Sequence, residues 1–191
     1  MLDLGCSAGS NFARLQTGGA RGIGIDVSLA RLRVARALCP VVQGVGERLP
    51  FADGTFDLVY ISHVLHHAAD HHLVLAECIR VLRPGGRLFL IETVDDHPLM
   101  RLARNIRPEW DTDQVRSRFR FAELAGDVRA AGFRIEAARQ FNVVYWIWET
   151  AQARVAPPLA RLHGQVVAVE ERLGPLRRWG AHGYLVAAAP P

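Results

Sequence analysis

The sequence predicts an α/β fold built around one mostly parallel β-sheet. Short apolar runs alternate with helical patterns over the first 92 residues, which is typical of a parallel sheet covered by helices. The chain has 191 residues, 50% of them hydrophobic and 22% charged, the length and composition of one globular domain. No apolar run approaches the roughly 18 residues that a membrane helix needs. We therefore expect a single domain, residues 1–191, without a membrane span.

Five strands are predicted in the first half of the chain, at Met1–Leu4, Gly22–Asp26, Val41–Gln43, Asp57–Ser62 and Arg87–Glu92. The helices predicted between them are Ser10–Thr17, Ser28–Leu38 with Ser28 as its N-cap, and His71–Val81. On the second of these helices, the apolar positions fall on one face: Leu29, Leu32, Ala35 and Leu38.

The pattern changes after Glu92 to a polar, arginine-rich stretch. A helix is predicted at Ala122–Ala131, closed by Gly132, and a sixth strand at Phe133–Phe141. A helical insertion over residues 142–180 then precedes a final apolar strand at Tyr184–Ala189. These segments are expected to belong to the same domain as residues 1–92.

Charge and cysteine content favour an intracellular protein that does not bind nucleic acid. The net charge is +4 and all 23 basic residues are arginine, but they are scattered instead of clustered on one stretch. The three cysteines are odd in number and lie in apolar segments, as reduced thiols do. The N-terminus lacks the basic start and long apolar stretch of a signal peptide, so we expect a cytoplasmic location.

The strongest local signal is the segment Leu2–Ser10, in which a strand breaks into small residues and then enters a helix. Glycine there allows a sharp turn close to a ligand, and the helix N-terminus presents free N–H groups. The second strand ends at Asp26, 21 residues after Gly5, where a carboxylate can accept both hydroxyls of a ribose. A dinucleotide fingerprint needs glycines at its first, third and sixth positions, which are here Gly5, Ser7 and Ser10. The spacing therefore argues against a nicotinamide enzyme.

At these residues the sequence resembles the class I S-adenosylmethionine-dependent methyltransferases, in particular the branch that includes the ubiquinone and menaquinone biosynthesis enzymes. Four stretches carry the resemblance: Leu2–Gly9, Gly24–Val27, Gly44–Val59 and Arg80–Leu88. It implies a Rossmann-like sheet of seven strands with an antiparallel last strand, residues 1–92 forming the cofactor-binding half and residues 93–191 the substrate side. The cofactor implied is S-adenosylmethionine.

The resemblance also implies roles for single residues. Asp3 would approach the cofactor's amino group, and Asp26 the ribose hydroxyls. Val27 would contact the adenine, and Ser62 would line the pocket beside the sulfonium. The loop residues that would hold the methionine part are Gly5, Cys6, Ser7 and Gly9.

Three departures from the family pattern are visible. Ser7 stands where glycine is usual. Val45 replaces the acidic residue that commonly meets the adenine's exocyclic amine, so adenine recognition would depend on the backbone near Gly46 and Glu47 and on apolar contact. The helix that covers the cofactor in the family is missing, because the chain starts inside the first strand. Either the chain is a fragment or has a start assigned too late, or the enzyme lacks this cover.

A histidine-rich run, His63–His72, invites two hypotheses besides loop packing. His63 with His66 or His67 has zinc-ligand spacing if the segment is helical, but we expect no metal. An acid–base role makes His63 and His66 the candidate catalytic residues.

The variable half carries six aromatic residues and three arginines that could meet an acceptor, or else belong to the core and to a solvated helix face. They are Phe141, Tyr145, Trp146, Trp148, Trp110 and Trp179, with Arg101, Arg104 and Arg107. The expected function is methyl transfer to an oxygen, nitrogen or carbon nucleophile of a small, apolar or aromatic molecule. The alternative is a non-catalytic cofactor-binding or partner-binding module derived from such an enzyme. The oligomeric state is left open.

Overall fold

The computed structural model describes residues 1–12, 19, 21–98, 116–142, 168–169, 172 and 174–191. These residues form a seven-stranded sheet with the strand order β3-β2-β1-β4-β5-β7-β6. The strands are β1 (Leu2–Leu4), β2 (Ile23–Asp26), β3 (Val41–Gln43), β4 (Phe56–Ser62), β5 (Leu82–Thr93), β6 (Arg134–Phe141) and β7 (His182–Ala188).

Strand direction matches the prediction. β1 pairs in parallel with β2 and with β4, while β7 runs antiparallel to both of its neighbours, β5 and β6. The carboxyl ends of β1, β2, β4 and β5 therefore meet at one edge of the sheet. In open α/β sheets, that edge is where ligands bind.

Three α-helices whose bounds fall within the described residues flank the sheet: α1 (Leu29–Ala35), α2 (His71–Val81) and α3 (Phe121–Ala130). α2 has the predicted bounds, because the Asp70 carboxylate accepts hydrogen bonds from the His72 and Leu73 N–H groups and fixes the first turn. α1 is shorter than predicted, and the exposed fraction of Leu29 is 49% and that of Leu38 is 41%. The predicted apolar face of α1 is therefore limited to Leu32 and Ala35, which are buried.

β5 begins five residues earlier than predicted, because Leu82 already pairs with Phe56 of β4. The expected turn at residues 83–86 is an irregularity inside this strand, with Gly85 in a left-handed conformation (φ 71°). Gly132 closes α3 with φ 105°, as predicted.

The main core lies between one face of the sheet and α2 and α3. Fully buried side chains from both layers fill it, among them Val59, Ile61, Leu75, Leu88, Leu90, Leu124, Val128 and Leu185. The packing of this face sets the register of the strands, and with it the positions of the residues that follow each strand.

Several predictions lie outside the described residues. Of the helix expected at Ser10–Thr17, only residues 10–12 are described, and they are helical. Within the insertion expected at 142–180, Gly174–Trp179 forms a 3₁₀ helix. Among the helices that the structure describes, none combines the length and apolar character needed to cross a membrane.

Candidate functional site

The loop after β1 makes a tight turn at the sheet edge. Gly5 and Ser7 both have positive φ angles, 75° and 52°. The N–H groups of Gly5 and Cys6 donate to the Ile25 carbonyl at 2.8 and 3.0 Å, which draws the loop onto β2. A Cβ atom at Gly5 would stand 2.2 Å from Val64 Cγ2, so the loop can approach the segment after β4 only because this residue is glycine.

Asp3 is a buried carboxylate in the centre of the sheet, directly below this loop. Its exposed fraction is 0%, and neither carboxylate oxygen has a hydrogen-bond partner among the described residues. Burial, with a smaller contribution from the charge of Asp26, raises the pKa of Asp3 to about 6. Buried polar atoms without partners are uncommon in proteins. Asp3 therefore marks a place where a hydrogen-bond donor is expected.

Asp26 connects the loop after β1 to the start of α1. Its Oδ2 accepts from the Ser7 N–H at 2.9 Å, and its Oδ1 from the Ser28 N–H at 2.8 Å. The Ser7 hydroxyl in turn accepts from the Arg31 guanidinium at 2.8 Å. Each carboxylate oxygen has two acceptor positions, so Asp26 keeps capacity for two further donors, such as the hydroxyls of a ribose.

The Cys6 thiol does not belong to this polar group. A Cβ atom at Gly24 would stand 2.6 Å from Cys6 Sγ, so the thiol packs against β2. Burial raises the pKa of Cys6 to about 12, which leaves the thiol protonated and unreactive. Cys6 can contribute to the site through its backbone. Gly9, at the end of the loop, has φ 85° and donates its N–H to the Cys6 carbonyl at 2.8 Å.

Two exposed valines lie beyond Asp26, next to the end of β3. The exposed fraction is 62% for Val27 and 47% for Val45. The Gln43 side chain donates to the Val27 carbonyl at 3.0 Å and so holds the two strand ends together. A cavity of about 760 Å³ borders Gln43 and Val45. Apolar side chains exposed in this way can contact the flat face of a base.

The stretch around Gly46 and Glu47 is anchored to the body of the domain. Gly46 lies against α2, where an added Cβ atom would stand 3.2 Å from Val74 Cγ2. The Glu47 carboxylate accepts from the Ala69 N–H at 2.8 Å. Glu47 therefore holds the segment that leads into α2.

Past the ends of β4 and β5, a histidine-rich cluster surrounds the buried Glu92. The Glu92 carboxylate accepts from the N–H groups of Leu65 and Thr93, each at 2.9 Å, and lies 2.5 Å from Nδ1 of His66. Because a carboxylate only accepts, Nδ1 of His66 is the donor in this contact. His63 Nδ1 is 3.1 Å from the Thr93 hydroxyl and 3.8 Å from Glu92 Oε1.

His182 at the start of β7 completes this cluster. Its ring meets that of His63 edge to face, with centroids 5.2 Å apart, and stacks against Phe141 at 5.6 Å. The Asn142 amide donates to His182 Nδ1 at 2.8 Å. Burial, followed by the nearby His63, lowers the pKa of His182 to about 4, and burial also lowers the pKa of His63. Both rings are therefore neutral at pH 7.

The structure brings most of the predicted site residues to one sheet edge. Asp3, the loop after β1 and Asp26 form one group, while Ser62, His63 and His66 lie at the ends of the next strands. The sequence interpretation missed Arg31, Asn142 and His182, which are distant in the chain, and did not assign Glu92 a role. An acidic residue inside an otherwise apolar strand, as in Leu88–Glu92, was the signal that could have identified Glu92.

The condition under which His63 with His66 or His67 would have zinc-ligand spacing is not met, because that segment is not an α-helix. Leu65–His67 is a single 3₁₀ turn. The ligand atoms of these histidines do not gather into a metal-binding group among the described residues. Of the other predicted acceptor-side residues, Trp110, Tyr145, Trp146 and Trp148 lie outside the described part, as do Arg101, Arg104 and Arg107; the side chain of Trp179 is likewise not described.

Comparison with known proteins finds similarity to methyltransferases, both in sequence and in fold. Residues 2–90 match the family model described as a methyltransferase domain. The chain is 35% identical over 153 residues to a demethylmenaquinone methyltransferase of Mycolicibacterium vanbaalenii, an alignment that covers 70% of this chain and 67% of that protein. A demethylmenaquinone methyltransferase of Corynebacterium kroppenstedtii is 42% identical over 93 residues, or 48% of this chain. That alignment spans only 41% of the relative's length.

Solved structures share the fold at low sequence identity. A SAM-dependent methyltransferase from Thermotoga maritima superposes with a TM-score of 0.71 at 19% identity, covering 98% of this chain and 80% of that one. Phosphoethanolamine N-methyltransferase 2 from Haemonchus contortus, solved with S-adenosyl-L-methionine, gives a TM-score of 0.69 at 18% identity and covers 100% of this chain and 48% of that one. The solved structures therefore show that this chain has the fold of S-adenosylmethionine-dependent methyltransferases. The 35% identity to the Mycolicibacterium vanbaalenii enzyme, over 67% of that protein, together with the match of residues 2–90, shows that the chain belongs to the methyltransferase family.

Proposed function

We propose that this protein transfers a methyl group from S-adenosylmethionine to a small, apolar or aromatic acceptor. The observation that carries the proposal is the buried carboxylate of Asp3, which lies without a hydrogen-bond partner from the described residues beneath a tightly turned loop. A ligand with an ammonium group at this point would satisfy it, directly or through a water molecule. S-adenosylmethionine carries such a group on its methionine part.

The same sheet edge fits the rest of the cofactor. Asp26 would accept from the ribose hydroxyls, and Val27 and Val45 would contact the adenine, with Gly46 and Glu47 offering backbone groups to its edge. The methionine part would lie along the loop after β1. The residues proposed to hold it are Gly5, Cys6, Ser7 and Gly9.

When bound, S-adenosylmethionine supplies a methyl group on a positively charged sulfur, which is already activated for transfer. The protein's task is then to align the acceptor, exclude water and accept the proton that the oxygen, nitrogen or carbon nucleophile loses on methylation. Ser62 lies at the end of β4, and we propose that it lines the pocket between the two ligands.

We propose that His63 takes the proton from the acceptor. Its ring is neutral, because burial lowers its pKa, and it is partly exposed at the sheet edge. Glu92 Oε1, 3.8 Å from Nδ1, would stabilise the imidazolium that forms. His66 is largely buried against Glu92 and is proposed as a positioning residue that holds this carboxylate in place.

The acceptor class is supported by the rings at this end of the sheet. His63, His182 and Phe141 bring three aromatic rings into contact at this end of the sheet, which suits an apolar or aromatic molecule. Relatives named demethylmenaquinone methyltransferase support the same class.

Residues 1–92 are proposed as the cofactor half and 93–191 as the acceptor half. We also propose a cytoplasmic location, which is supported by three cysteines that are all free.

The test is a transfer assay with methyl-labelled S-adenosylmethionine and three acceptors: reduced demethylmenaquinone, catechol and histamine. We expect label in one of the two phenolic acceptors, reduced demethylmenaquinone or catechol, and none in histamine. His63→Gln should lower kcat at least tenfold, with the affinity for S-adenosylhomocysteine unchanged, because removal of a general base costs about 10²–10⁴-fold. Label in histamine alone would contradict the acceptor class. An enzyme whose kcat is the same without His63 would contradict the proposed base.

A further inference from the structure

The histidine-rich run is divided by the fold, and its second half meets an acidic residue from a distant helix. His71 and His72 are the first two residues of α2, while Asp127 lies on α3, 55 residues away in sequence from His72. His71 Nε2 and Asp127 Oδ2 are 3.1 Å apart. One ligand atom from each of the three residues lies within 4.8 Å of the others, the sole group of this kind in the described part of the chain.

The chemistry of these side chains is that of a transition-metal site. Imidazole nitrogen and carboxylate oxygen are the ligands that Zn²⁺ takes outside thiolate sites, at about 2.0–2.2 Å. Two ligand atoms bound tetrahedrally at that distance stand about 3.3 Å apart, close to the separation of the His71 nitrogen and the Asp127 oxygen. An ion could therefore enter between them with little movement of either helix.

The three residues differ in burial, as expected for a metal site with one side open to water. His71 and Asp127 are half-buried, and the His71 ring is fixed against Phe119, with centroids 4.9 Å apart in an edge-to-face contact. His72 is exposed, and its ring lies 4.0 Å from that of His71. Two ligands are thus held in place, while the third can turn to complete the coordination. Water would occupy the remaining position.

We propose that His71, His72 and Asp127 bind one divalent transition-metal ion of the zinc type, which joins α2 to α3. This site is separate from the cofactor and acceptor groups and does not depend on the proposed methyl transfer. Its expected effect is on stability, because an ion that binds only the folded chain shifts the unfolding equilibrium. It also fixes the start of α2, directly after the segment that carries His66.

The test uses the full chain purified without a histidine tag, titrated with ZnCl₂ by calorimetry and followed by thermal unfolding. We expect binding of Zn²⁺ at this site and a rise in Tm of about 5 °C at a hundredfold excess over Kd. MgCl₂ at the same concentration should leave Tm unchanged, because Mg²⁺ prefers an all-oxygen site.

His72→Ala is the decisive variant, since its exposed ring is not needed for folding. We expect the metal-free Tm to match that of the wild type, with Zn²⁺ affinity reduced at least tenfold and most of the Zn²⁺-induced rise in Tm lost. Asp127→Asn should weaken binding similarly. His67→Ala, which removes a neighbouring histidine outside the group, is the matched control and should bind Zn²⁺ as the wild type does. No Zn²⁺ binding by the wild type, or equal affinity in the His72→Ala variant, would overturn the proposal.

Discussion

Asp3 should reduce the stability of the free protein, because its carboxylate is buried without a hydrogen-bond partner among the described residues. Its carboxyl titrates at about 6 in the folded chain and near 3.8 when unfolded, so the ionised form is disfavoured by folding. The difference of about 2 pKa units corresponds to about 3 kcal/mol at a pH above both values. We expect Asp3→Asn to raise the free energy of unfolding by up to about 3 kcal/mol at pH 8.

The sign of the pH dependence separates this effect from a change in packing. Above pH 6 both states of the wild type carry the ionised carboxylate, and the full cost is present. Between pH 6 and 3.8 the folded state binds a proton that the unfolded state lacks, so the wild type gains stability as pH falls. The advantage of the Asp3→Asn variant should therefore shrink steadily from pH 7 to pH 4.

The same substitution should weaken cofactor binding. Loss of a charge-assisted hydrogen bond costs about 1.5–3 kcal/mol, so we expect the Kd for S-adenosylhomocysteine to rise about 10- to 100-fold at pH 8. Urea unfolding at pH 8, 6 and 5 and calorimetric titration measure the two effects. Asp53→Asn is the matched control: this carboxylate is exposed and pairs with Arg80, so its removal should change stability by less than about 1 kcal/mol. An Asp3→Asn chain that is less stable than the wild type at pH 8, or whose gain in stability does not depend on pH, would exclude a buried charge as the cause.

Three further predictions concern the loop, the buried carboxylate and the proposed base. Gly5→Ala should lower Tm by several degrees and abolish S-adenosylhomocysteine binding, because the added Cβ meets Val64 and the φ of this residue is 75°. Gly126→Ala, within α3 and with open space around it, is the control and should raise stability by about 1 kcal/mol. Equal Tm values for the two variants would contradict this. Glu92→Gln should reduce the free energy of unfolding by about 2–3 kcal/mol, since three donors depend on its carboxylate. It should reduce the rate of methyl transfer more than the affinity for the cofactor. Urea unfolding and calorimetry measure the stability and the cofactor affinity, and an unchanged stability would contradict the prediction. The pH profile of kcat, measured at saturating cofactor, should have an acid limb whose apparent pKa is below the usual histidine value of 6.5. The reason is that burial lowers the pKa of His63 and that the neutral ring is the active form. An apparent pKa above 6.5 would exclude His63 in this role.

Local signals account for the parts of the fold that the sequence predicted well. α2 begins and ends where predicted, because Asp70 caps its first turn and Leu82 already pairs with β4. The loop after β1 and Asp26 could be placed together because two parallel neighbouring strands bring their carboxyl ends to one edge. The extension of β5 to Leu82 was missed, since proline and glycine at residues 84–86 indicate a turn even where the strand continues past an irregularity.

The proposed acceptor end of the sheet was less predictable, because it depends on long-range contacts. His182 and His63 are 119 residues apart in sequence and meet only because β7 inserts between β5 and β6. Nothing in the local pattern around Asn142 indicates that its amide would hold His182. His71 and Asp127 likewise meet through the packing of two helices on one face of the sheet. Sequence patterns brought together the residues proposed to bind the cofactor, which lie near each other in the chain, but not the residues that only the topology makes neighbours.

We propose that the edge of the sheet formed by Asp3, the loop after β1 and Asp26 binds S-adenosylmethionine. Calorimetric titration of the full chain with S-adenosylhomocysteine, beside an Asp26→Asn variant of matching Tm and with NADH as a control ligand, tests this most directly. We expect one binding site, affinity at least tenfold weaker in the variant, and no heat with NADH. A folded chain that gives no heat with S-adenosylhomocysteine, or a variant that binds as tightly as the wild type, would contradict it.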